Sequence, residues 1–80
     1  MISYGKETKL KPEQVIDKAV QFFGPAGIGL EVKDRGTACA RFEGGGGYVA
    51  ISCCEGAKHT EVSLEAREWE YQAGQFVGKL

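Results

Sequence analysis

Eighty residues make one domain with room for a single sheet under one helical layer, since a chain of this length buries only roughly 62% of the surface its unfolded state exposes. Ten basic residues against eleven acidic ones leave a net charge of -1, which gives no electrostatic footprint for nucleic acid, an anionic membrane or a strongly charged substrate. No apolar run approaches the ~18 residues of a membrane span. The opening "MISYGKETKLKPE" lacks the apolar core of a signal peptide, and three cysteines close no disulfide framework, so a cytoplasmic protein with reduced thiols is expected.

In chain order, "ISYGKET" has the Ile, Ser, Tyr and Thr content of a strand, weakened at Gly5. "LKPEQVIDKAVQFFGP" then reads as a helix. Pro12 suits its first position, Glu13 complements its positive end, and Val15, Ile16, Ala19, Val20 and Phe23 form an apolar stripe that Gly24 and Pro25 terminate. Lys11 stands at the N-cap, where Ser, Thr or Asp would serve better, so packing has to stabilise this helix.

From Ile28 the period becomes alternating, with Ile28, Leu30 and Val32 on one side and Glu31 and Lys33 on the other. The turn signals "DRG", "GGGG" and "EGAK" separate this run from "TACARFE", "YVAISCC" and "HTEVSLEAR", which predicts a four-stranded antiparallel meander. "EWEYQAGQFVGKL" returns to helical spacing, placing Trp69, Ala73, Phe76, Val77 and Leu80 on one face that covers the sheet. Gly74 and Gly78 cost roughly 1 kcal/mol each inside a helix, which implies either close approach of another backbone or a frayed end. The expected architecture is α+β, one domain over residues 1–80 in the order β-α-β-β-β-β-α, an antiparallel sheet with two helices packed on one face.

Symmetric closure of the glycine turn sets Glu43 opposite Tyr48, Phe42 opposite Val49, Ala40 opposite Ile51 and Ala38 opposite Cys53. Closure at "EGAK" then sets Val49 opposite Leu64, Ile51 opposite Val62, Cys53 opposite Thr60 and Cys54 opposite His59. Three-residue closure at Asp34, Arg35 and Gly36 matches Val32 with Ala38, Leu30 with Ala40 and Ile28 with Phe42. Because strand neighbours point to opposite faces, Cys53 joins the core and Cys54 the wet face.

On that wet face Cys39, Cys54 and His59 form a candidate zinc or thiol site, since zinc accepts sulfur and nitrogen donors in tetrahedral geometry. Against it stand the lack of paired C-x-x-C or H-x-x-x-H spacing and of a positive environment that would stabilise a thiolate. No catalytic set is distinguished among the plentiful carboxylates, and no cofactor is expected. The "GGGG" run lacks the Lys and Ser or Thr of a phosphate loop and opens a strand, which suits a hairpin turn, while Gly24, Gly27 and Gly29 follow a helix where a dinucleotide motif would precede one.

The passages "MISYGKETKLKPEQVIDKA" and "TEVSLEAREWEYQAGQFVGKL" resemble the first strand and helix, and the last strand and helix, of helix-grip (START-like) proteins, and the element order is also similar to the TATA-binding-protein-like fold. Those folds imply an apolar ligand between helix and sheet, or DNA on the open sheet face. The chain departs from both, being short for a grip cavity and carrying Glu31, Glu43, Glu61 and Glu65 where DNA would want cations.

The leading expectation is therefore a nonenzymatic binding or assembly module, self-associating through the first strand, which the resembling folds place at the sheet edge, at Ser3, Tyr4, Gly5, Lys6 and Glu7. A small apolar ligand is the variant, held where Ala38, Ala40 and Ala66 leave space against Trp69 or Phe76. No nucleic acid and no membrane are expected as partners.

Overall fold

The computed structural model describes residues 2–80 and has the expected architecture. Strand β1 (Ile2–Thr8) leads into helix α1 (Pro12–Phe23), followed by β2 (Glu31–Arg35), β3 (Cys39–Gly44), β4 (Gly47–Glu55), β5 (Thr60–Arg67) and helix α2 (Glu70–Gly78). The strands form one antiparallel sheet in the order β1-β5-β4-β3-β2, so the first strand crosses over to pair with the last.

Alternation decides which side of this sheet is dry. Ala40, Phe42, Val49, Ile51, Val62, Leu64 and Ala66 are buried on the helix-facing side. Helix α1 lays Val15, Ile16, Ala19 and Phe23 onto them, and α2 adds Ala73 and Phe76. Phe23 is the centre of the packing, with ring centroids 5.6 Å from Phe42, 5.2 Å from Phe76 and 4.9 Å from Phe22. At the start of α1 no side chain of Lys11 caps the helix; instead the Lys11 amide donates to Gln14 Oε1 at 2.9 Å.

The β3–β4 register is as expected from the sequence, from Gly44 opposite Gly47 to Cys39 opposite Ser52. The turn residues Gly45 and Gly46 have φ of 60° and 84°, the positive values that a two-residue hairpin of primed type requires and glycine adopts freely. Trp69 closes over this turn and donates its indole N–H to the Gly44 carbonyl at 2.8 Å.

Three expectations are corrected. The second strand begins at Glu31 and not at Ile28, because the intervening backbone turns back to satisfy the end of α1: Ile28 N–H donates to the Phe22 carbonyl and Leu30 N–H to that of Phe23. The turn into β3 lies after Arg35, so Val32 faces Phe42 and Arg35 faces Ala40, with a register shift between Val32 and Asp34. In the β4–β5 hairpin Glu55 pairs with Thr60, which puts Cys53 opposite Val62 and Cys54 opposite Glu61. That last displacement is two residues in sum, so every side chain keeps its face and the hydrophobic pattern could not detect it.

Candidate functional site

A five-stranded open sheet leaves two edges, and these differ. The β2 edge carries Glu31, Lys33, Asp34 and Arg35 within five residues, contains the register shift, and is tied to α1 by an ion pair of Arg35 with Asp17. Consecutive charge and a bulge are devices that prevent edge-to-edge pairing. The β1 edge has no register shift, and its charged residues are confined to Lys6 and Glu7 near one end. It pairs with β5 in unbroken register, Ile2 opposite Ala66 through Thr8 opposite Thr60, for seven residues without proline. Its other row of backbone donors and acceptors faces outward, which places the candidate residues Ser3, Tyr4, Gly5, Lys6 and Glu7 on a free edge.

Tyr4 on the dry side braces this edge. Its hydroxyl donates to the Glu70 carbonyl at 3.3 Å and lies against Gly74, where a Cβ would stand 2.8 Å from the Tyr4 oxygen. Gly74 is thus explained by an aromatic side chain under the helix, whereas nothing lies within 4 Å of a Cβ built on Gly78.

The structure separates the sequence-predicted thiol and imidazole donors. Cys39 and Cys54 are exposed, on β3 and β4, opposite Ser52 and Glu61 respectively. His59 lies off the strands in the hairpin loop, its Nε2 3.4 Å from Glu7 Oε1. Among the described residues, the His, Cys, Asp and Glu donors that come together in a group of three are Glu7, His59 and Glu61, mutually within 4.8 Å. Glu7 and Glu61 are directly opposite on β1 and β5, an unfavourable like-charge pair with the His59 imidazole beside it. Cys53 is half-buried, and burial pushes its thiol above the ordinary range, with the nearby Cys39 adding to the shift. It is a packing residue, as its strand parity indicated.

The wet face is organised by polar contacts. Tyr48 donates its hydroxyl to Glu65, and Arg41 stacks 4.5 Å over the Tyr48 ring while its Nε donates to Glu43 at 2.9 Å. The hydrogen bond to the Glu65 carboxylate is the main cause that holds the Tyr48 phenol above its usual range, with desolvation and the Glu65 charge in support.

The candidates for an apolar pocket are distributed differently from the expectation. Ala40 and Ala66 are buried in the packed core, and Trp69 is occupied by the glycine hairpin. Ala38 lines a polar hollow with Cys53 and Glu55, remote in sequence from Phe76, which borders a cleft of about 230 Å³ with Phe22 and Leu80 between the two helices.

Sequence reasoning missed a larger groove of about 760 Å³ at the pole where β1 ends and the β4–β5 loop turns. Lys6, Lys9, Lys18, Lys58 and Lys79 line it over a floor that includes Leu10 and Leu80. The signal was present only in combination: pairing of Thr8 with Thr60 brings the lysines flanking β1 to the hairpin loop, whereas an overall charge of -1 averages them away.

No protein-family model matches the chain, and neither a curated protein nor a solved structure shows significant similarity to it. Among the described residues, no helix is long and apolar enough to cross a membrane.

Proposed function

We propose that the protein is a nonenzymatic assembly module whose β1 edge pairs with β1 of a second copy about a twofold axis. The observation that carries this reading is the contrast between the two edges, one with four charges in five residues and a register shift, the other unbroken in register over seven residues with two charges. A twofold perpendicular to the sheet keeps the dry faces on one side, so paired residues must share a face and one residue must face its own copy across the axis. The register centred on Gly5 uses all seven residues of β1. It sets Ser3 opposite Glu7 and Tyr4 opposite Lys6, with no like charges facing, whereas centring on Lys6 would oppose two ammonium groups.

Gly5 supplies the test, because a Cβ there meets nothing within 4 Å and its φ is not positive. Gly5→Val fits the monomer and favours a strand, so sedimentation equilibrium should show a concentration-dependent dimer for it as for the native chain. Gly5→Lys fits equally well but opposes two like charges at the axis, and should be monomeric. A native chain that stays monomeric at all micromolar concentrations would reject the reading.

A chemical reading at Cys39, Cys54 and His59 has less support, since His59 lies with carboxylates and Cys54 faces Glu61. Elemental analysis of protein purified without added metal, with thiol titration alongside, separates it from assembly. The resemblance to helix-grip and TATA-binding-protein-like folds rests on element order and on two passages without a specific motif, and neither assigns a ligand.

A further inference from the structure

Five of the seven lysines of this chain line one groove, although the net charge is -1. Among the described residues none of the five forms an ion pair, while Lys33, Arg35 and Arg41 elsewhere pair with Glu31, Asp17 and Glu43. The one side-chain carboxylate in the lining is Glu7, and His59 stands beside it. Ammonium groups gathered around a concave, partly low-dielectric surface reinforce one another's field and repel each other when no anion is bound.

The groove is continuous with an apolar cleft. Lys18, Lys79 and Leu80 belong to both, and the cleft runs from them between α1 and α2 along Phe22 and Phe76. Lys79 marks the junction, with its Nζ 5.0 Å above the Phe22 ring. A basic mouth that leads into an aromatic slot fits a molecule with a charged head and an apolar tail.

We infer that this groove binds a small anionic amphiphile, its carboxylate or phosphate head among the lysines and its alkyl chain along Leu80, Phe22 and Phe76. The site lies on the helix side at the far end of β1 and does not require the dimer, so binding and oligomeric state are read separately.

Calorimetric titration at low ionic strength with dodecanoate tests the inference, with dodecyltrimethylammonium, inorganic phosphate and anionic phospholipid vesicles as the comparison ligands. Dodecanoate should bind at least about tenfold more tightly than either the cationic amphiphile or phosphate, and more weakly as salt rises. Lys18→Glu with Lys79→Glu should weaken it by about tenfold or more, while Lys11→Glu with Lys33→Glu, the same charge change away from the groove, should not. If the reversal variant does not fold, Lys18→Gln with Lys79→Gln should show a smaller loss in the same direction. Equal affinity for both amphiphiles, equal loss in both charge variants, binding to vesicles alone, or no heat with dodecanoate would each overturn the inference.

Discussion

Side-chain direction was the most legible property of the sequence at the scale of single residues. Period-two alternation sent Cys53 inward and Cys54 outward, and Cys53 is half-buried against the core while Cys54 is exposed. Thiol chemistry should follow. Alkylation near pH 8 should modify Cys39 and Cys54 quickly and Cys53 slowly, since burial raises its pKa and depletes its thiolate, and mass spectrometry of partly labelled protein reads the order. A folded-state pKa above the unfolded one means that this contribution to stability is complete below the unfolded thiol pKa and is lost as pH rises through the folded one. Cys53→Ala should lessen the fall of the denaturation midpoint on the alkaline side. Contacts between residues distant in sequence were not legible. Nothing in "ISCCEGAKH" shows that His59 approaches Glu7, because β1 reaches β5 only through the crossover.

At the glycine hairpin two residues with positive φ differ in their surroundings. A Cβ on Gly45 would stand 2.7 Å from Trp69 Cζ2, while one on Gly46 meets nothing within 4 Å. Gly46→Ala should therefore destabilise by about 1 kcal/mol from backbone strain alone, and Gly45→Ala by about 1–3 kcal/mol because Trp69 must also move. Urea denaturation followed by Trp69 fluorescence checks both.

Elements were recognised in kind and order because each carries its own period, and the boundaries failed where backbone hydrogen bonding overrode that period. Ile28 alternates correctly with Leu30, yet it serves the end of α1. The β4–β5 turn slipped because two four-residue closures give the same faces, and only loop geometry, with the Gly56 amide donating to the His59 carbonyl at 2.8 Å, distinguishes them. Helix α2 shows that a glycine can have a cause beyond its own element. Gly78→Ala should raise stability by about 0.5–1 kcal/mol, as expected of an open helical site, whereas Gly74→Ala should gain less or lose because its Cβ displaces the Tyr4 hydroxyl. Thermal melts of the two variants, with Tyr4→Phe added to Gly74→Ala to relieve the contact, check this.

For the whole molecule, composition and topology carry different information. A balanced charge count suggested no charged partner, but folding sorts the charges, placing Glu31 and Glu43 opposite one another on the wet face and five lysines at one pole. Topology likewise determines which strand is left unpaired. The crossover that joins β1 to β5 leaves β1 as an edge, and the charged, shifted β2 closes the other.

Pairing of β1 with its copy is tested most directly by isotope-filtered nuclear Overhauser spectra of an equal mixture of labelled and unlabelled chains. Cross-chain signals linking Ser3 to Glu7, Tyr4 to Lys6 and Gly5 to itself are predicted. Their absence in a sample whose mass is that of one 8.6 kDa chain would contradict the account.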